Sequence, residues 1–108
     1  MPVKIIEIVP SKKANKRYRI TIEDDEKLKQ YDFGLKDGET YIDHADKAKR
    51  EAYRKRHYAN ETEKKLIDAL IPSASVFSYY LLWGDKSNIT DNIIDLQRRF
   101  NKKHRSTV

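Results

Sequence analysis

No cysteine occurs among the 108 residues, and glycine and proline occur only three times each. The missing thiols exclude disulfide frameworks, cysteine-ligated zinc and cysteine nucleophiles. The sparse glycines leave no phosphate-cradling loop, and no nucleophile elbow surrounds Ser73, Ser75 or Ser78. His44, His57 and His104 are too scattered for a metal site. Long apolar runs are also missing. Val76 to Trp83 is the longest, is interrupted by Ser78, and is far too short to span a bilayer. The N-terminal residues have no apolar h-region, so no secretory leader is expected. The expectation is a protein without cofactor, metal, membrane partner or enzyme activity.

What the chain has in abundance is charge. Charged residues make up 37% and the formal net charge is +6. The signs come in blocks. Lys4 to Arg19 holds six basic residues and one acid, whereas Glu23 to Asp46 holds nine acids and three lysines. Lys47 to Lys65 returns to eight basic residues against three acids, and Arg98 to Arg105 has five basic residues and no acid. A solvated surface tends to intersperse its signs, so blocks of this kind predict separate basic and acidic faces. A net positive charge favours polyanionic partners.

Periodicity divides the chain in two. Val3 to Val9 reads as a strand ended by Pro10. Tyr18, Ile20 and Ile22 alternate with Arg17, Arg19 and Thr21, giving a half-buried strand with one basic face. Asp24 and Asp25 make a turn, and Leu28 to Phe33 returns as a third strand with a bulge. The second half changes to helical spacing. Asp43 caps a helix that runs to about Tyr58, and Asn60 with Glu63 opens a second. Ser75 to Trp83 forms a third, with Gly84 placed as its C′ residue. Asn88 and Asp91 open a fourth, on which Ile89, Ile93, Leu96 and Phe100 form one apolar stripe. Trp83 and Phe100 are expected in the core. Strands first and helices second predict one α+β domain over 1–108, a small antiparallel sheet of about three strands packed against three or four helices. A basic tail that frays is expected from about residue 101.

Three basic clusters are candidate nucleic-acid contacts. In the first helix, Lys47, Arg50, Arg54 and His57 share one face, opposite Ala45, Ala48 and Ala52 with the inner part of Arg56. A helix that is small and apolar behind and cationic in front suits a phosphate backbone. The alternative is a solvated amphipathic face. Lys12, Lys13, Lys16, Arg17 and Arg19 form a second cluster, on a loop able to follow phosphates or simply to sit in solvent. Arg98, Arg99, Lys102, Lys103 and Arg105 form a third, either a basic arm or cations complementing a helix dipole. Tyr53, Tyr58, Tyr79 and Tyr80 are the right type to stack on bases, but no RNA-recognition sheet motif accompanies them, and Tyr79, Tyr80 and Trp83 sit at helical spacing with leucines, which fits core packing better. The four carboxylates Glu23 to Glu26 lack the second cluster a magnesium nuclease would need.

Several segments together, in order and spacing, are similar to a known family. They are Tyr18 to Ile22, Phe33 with Gly34, Tyr41 to His44, Lys49 to Tyr53 with Arg56 and His57, Tyr80 to Trp83, and Ile93 to Lys103. The chain from Lys16 onward resembles small basic, virion-associated proteins of large and giant double-stranded DNA viruses, of the mini-ubiquitous protein type. The resemblance implies an abundant virion protein that binds the viral genome, located in the virion interior and at the site of replication in the host cytoplasm or nucleus. The family pattern touches Arg50, Arg56 and His57, and otherwise positions that read as structural. The expected function is sequence-tolerant binding of double-stranded DNA in genome packaging, with RNA as another polyanion and with self-association through the acidic block. The competing expectation is an internal cement protein whose basic face meets acidic virion proteins.

Overall fold

The protein, seen in a computed structural model, is described over residues 3–106, with side chains through Lys103. Three antiparallel strands come first: β1 (Lys4–Pro10), β2 (Lys16–Asp24) and β3 (Lys27–Leu35), in the order β1-β2-β3. The helices follow: α1 (Tyr41–His44), α2 (Lys47–Ala59), α3 (Glu61–Ala69), α4 (Ala74–Phe77) running into a π-helical turn (Ser78–Leu82), and α5 (Ile89–Ser106). This is the α+β architecture read from the sequence.

The alternation in β2 sets the inner face of the sheet. Ile20 and Ile22 are fully buried, and their partners across the ladder are Ile8 and Ile5 on β1 and Tyr31 and Lys29 on β3. The register of β1 slips at Ile6, between Ile5 and Glu7. That bulge keeps both Ile5 and Ile8 on the core side, so the irregularity lies in β1 and not in β3. The β2–β3 hairpin closes through Asp25 and Glu26, both at positive φ, as a two-residue turn matched to strand twist requires. Phe33 and Tyr31 enter the core, while Leu28 and Leu35 are exposed.

Opposite the sheet, Phe77, Leu81, Leu82, Trp83, Leu96 and Phe100 complete one core cluster. The Trp83 N–H donates to the Ser78 carbonyl at 3.1 Å, five residues back. Leu81 and Leu82 at the end of this widened turn, and Trp83 that caps it, are all buried. Asn92 is buried beside it. Its amide donates to the Leu81 and Lys86 carbonyls at 3.0 and 2.9 Å, and its oxygen accepts from Lys86 N–H at 3.0 Å, so the polar group is fully used. Gln97 of α5 does similar work at the edge of the sheet, accepting from Ile5 N–H and donating to the Val3 carbonyl, each at 2.8 Å.

Four local expectations are corrected. Asp43 does not cap the long helix. It is the third residue of α1, where it completes a capping box with Thr40, and Ala45 at φ 54 then breaks the chain before Asp46 caps α2. Gly84 does take the C′ place after the C-cap Trp83, but it is not left-handed there. A Cβ there would lie 2.2 Å from the Tyr80 carbonyl oxygen and 2.7 Å from Asn92 Oδ1, so glycine is needed for close approach. Residues 101–106 do not leave the helix, because α5 continues to Ser106, and residues 107–108 of the expected tail lie outside the described residues. Finally, the alanine face of α2 is not the inner one: Ala45, Ala48 and Ala52 are all exposed.

Candidate nucleic-acid interface

Helix α2 packs through the arc containing Arg50, Tyr53, Arg54 and His57. Tyr53 explains the orientation. An aromatic ring on that arc buries far more apolar area than three alanines opposite, so the helix turns it inward and the neighbouring cations follow. The Tyr53 ring lies 4.3 Å from Trp83 at 8° and 4.1 Å from His57. Burial pushes the Tyr53 hydroxyl well above the ordinary tyrosine pKa. Beyond Trp83, His44 packs at 5.5 Å, accepting from Asp46 N–H through Nδ1.

The arginines of this arc meet internal acceptors. Arg54 donates to the Trp83 carbonyl at 2.9 Å and to Asp85 at 3.0 Å. Arg50 donates to Glu51 and to the Asp85 carbonyl, and its guanidinium sits 4.5 Å from the centre of the Tyr41 ring. Arg99 reaches the same Asp85 carboxylate from α5 at 3.5 Å and covers Tyr80. The Arg54 hydrogen bond, joined by the charges of Arg99 and Arg50, holds the Asp85 carboxyl below its usual range. His57 Nδ1 lies 2.8 Å from Glu63 Oε2. The arc read as a free cationic face is therefore a folded junction between α2, α3 and α5. Lys47, at its margin, is exposed.

The strand cluster is also partly engaged. Arg17 forms a two-pronged pair with Asp43, both contacts at 2.7 Å, and its hydrogen bond is the main cause that draws the Asp43 carboxyl far below its ordinary pKa. Arg19 faces Asp32 directly across the β2–β3 ladder and donates to it at 3.1 Å. Hydrogen bonds from Ser11 and then Arg19 lower the Asp32 carboxyl. Lys13 is 3.6 Å from the same Asp32, with most of its side chain in solvent. Charge blocks separated along the chain are thus joined in space, because antiparallel pairing sets β2 against β3 and α1 folds back onto β2. The separate acidic and basic faces expected from the blocks are not formed at these positions.

In the third cluster Arg98 is exposed and 3.7 Å from Asp95. Lys103 donates to the carbonyl of Ala69, the last residue of α3, as a cation at a helix C-terminus does. Lys102 is exposed, and the Arg105 side chain lies outside the described residues. A division by residue type results. Six of the seven arginines with described side chains lie within 4.0 Å of a carboxylate, Arg56 being the exception. Among the described residues, Arg56 and Lys4, Lys12, Lys27, Lys36, Lys47, Lys49, Lys55, Lys64, Lys65, Lys86 and Lys102 are exposed with no carboxylate that close.

Lys16 and Arg56 stand on different walls of a cleft of about 430 Å³ between the end of the sheet, α2 and α4 with its π-helical turn. The sequence reading included both residues but not the cleft. The signals that marked it were Gly34 and the adjacent apolar residues Leu81 to Trp83. Among the described residues no group of three or more His, Cys, Asp or Glu is placed to hold a metal ion, and no helix is long and apolar enough to cross a membrane.

Residues 6–57 match a family of unknown function (DUF5754). The match covers just under half of the chain and takes in most of β1, all of β2, β3 and α1, and most of α2. It includes Lys12 to Arg19 and Lys47 to His57 but not α3 to α5. No curated protein and no solved structure matches the chain.

Proposed function

We propose that the protein binds double-stranded DNA with little sequence preference, through solvent-facing lysines and Arg56, and helps package or organise a viral genome. One observation carries the reading: the arginines are mostly held by internal carboxylates, while the outward cations are mostly lysines without such partners. Arginine is the side chain that reads guanine edges with two hydrogen bonds. Lysine meets a phosphate as a mobile point charge and carries no base information. The phosphate contacts are assigned to Lys12, Lys13, Lys16, Lys47, Lys49, Lys55 and Arg56, with Lys102 and Arg98 at the far end of α5. Arg17, Arg19, Arg50, Arg54 and His57 position the elements that present them. The setting in a virion rests on the sequence resemblance to virion-associated proteins.

The experiment is a titration of two unrelated duplexes across salt concentration. Neutralising about 4–6 phosphates gives a log–log slope of roughly −4 to −5, alike for both duplexes. An affinity that does not change with salt, or that separates the two sequences by more than about tenfold, contradicts the reading.

A further inference from the structure

Three features coincide in the cleft between the sheet end, α2 and α4. The first is a pair of cations on different walls, Lys16 from β2 and Arg56 from α2, neither within 4.0 Å of a carboxylate. Glu39 is the acid of the lining. The second is an apolar patch of exposed Leu35 and Ala74 with half-buried Ser75 and Ser78 beside it, the buried Leu82 and Trp83 completing the lining. The third is departure from regular backbone where the lining is formed. Gly34 sits at φ +80, and a Cβ there would come within 2.8 Å of Leu82 Cδ1. Ser78 and Leu82 are the two ends of the π-helical turn. Such turns are frequent at binding sites, because an extra residue re-aims side chains.

We propose that this cleft holds one nucleoside monophosphate, either free or as the unpaired terminal nucleotide of a strand. The phosphate lies between Lys16 and Arg56, the base lies against Leu35 and Ala74, and the serine hydroxyls meet polar atoms of base or sugar. A guanidinium with free donors and an ammonium together match a phosphate dianion. A mixed apolar and polar concavity of a few hundred Å³ suits a ligand of this size. Lys16 and Arg56 are the residues that this site shares with the proposed duplex surface, and the remaining outward lysines take no part in it, so the inference does not require duplex binding.

The full chain is titrated calorimetrically with deoxyadenosine monophosphate and, separately, with inorganic phosphate. Trp83 is the single tryptophan, so its fluorescence reports on the cleft in the same titration. The nucleotide is expected to bind with a change in Trp83 emission, and phosphate at least about tenfold more weakly, having no base to bury. Arg56→Gln and Lys16→Gln are each expected to weaken nucleotide binding about tenfold, the usual size of one charge-assisted contact. Ala74→Phe, on an exposed cleft residue, is expected to block binding while the melting temperature stays unchanged. A duplex with a single-nucleotide overhang that outcompetes a blunt one assigns the site to strand ends, and equal competition assigns it to the free nucleotide. No heat and no emission change at millimolar nucleotide overturns the proposal, as does equal affinity for phosphate, or unchanged affinity in both Arg56→Gln and Lys16→Gln. Normal binding of duplex DNA alongside any of these failures leaves the duplex reading standing.

Discussion

Helix α2 turns Arg50, Arg54 and His57 toward Asp85, Trp83 and Glu63, whereas Lys49, Lys55 and Arg56, on the rest of its circumference, meet no carboxylate among the described residues. Both arcs are cationic in the sequence. They differ in what lies opposite them, and that difference assigns their work. A cation three ångströms from a carboxylate of its own chain, with its stem packed against the fold, is already paired, and moving it to a phosphate exchanges one ion pair for another. A lysine in solvent loses little by moving to a phosphate and releases a counterion from DNA when it does. Charge on a helix face is therefore not enough to place a nucleic-acid surface. The acceptors around it have to be known.

The largest expected effect comes from removing the ring against which the inner arc is built. Trp83→Ala deletes the partner of Tyr53 and leaves a cavity in the core, costing about 3–5 kcal/mol in chemical denaturation. A cost below about 1 kcal/mol would mean that the arc is not anchored there. Next is the double change Arg50→Gln with Arg54→Gln. On a solvated face it would cost no more than about 0.5 kcal/mol. At the junction described, it removes the contacts to Asp85 and the Trp83 carbonyl and the cover over Tyr41, and about 2–3 kcal/mol is expected.

Smaller again is the loss of the acid partner on the sheet side. Asp43→Asn keeps the shape of the α1 cap but removes the charge that Arg17 pairs with, and about 1–2 kcal/mol is expected near neutral pH. The same residue fixes a pH dependence. Asp43, Asp85 and Asp32 all have folded pKa values below their ordinary ones. A depressed carboxyl stabilises the fold above its unfolded pKa of about 4, and that contribution is lost as pH falls toward the folded value. Stability should therefore be level from neutral pH to about 5 and fall below about 4, with a shallower fall in Asp43→Asn. An acid limb of equal slope in the variant would show that the Arg17 pair does not contribute.

Much of the fold can be read from the residues. The alternation of Tyr18, Ile20 and Ile22 fixes the inner face of the sheet, Asn60 caps α3 as its side chain predicts, and the stripe Ile89, Ile93, Leu96, Phe100 meets the core. What is not legible shares one cause: it depends on contacts distant in the chain. The inward turn of α2 is set by Trp83, thirty residues after Tyr53. Asp85, on an irregular segment, collects arginines from α2 and α5, and no local pattern marks it. The π-helical turn breaks the 3.6-residue period that helix prediction assumes. The charge blocks were legible as blocks but not as pairs, since Arg19 and Asp32 become neighbours only through the β2–β3 register.

The smallest expected change in stability belongs to the outer arc, and there the account is tested most directly. A variant carrying Lys12→Gln, Lys49→Gln, Lys55→Gln and Arg56→Gln is compared with wild type in duplex DNA titrations across salt, with denaturation run on the same samples. The variant should keep its stability to within about 0.5 kcal/mol per site, and each removed phosphate contact should take about one unit from the magnitude of the salt slope, for any duplex sequence. An unchanged slope in this correctly folded variant, with normal DNA affinity, would contradict the assignment of the outer lysines and Arg56 to the phosphate backbone.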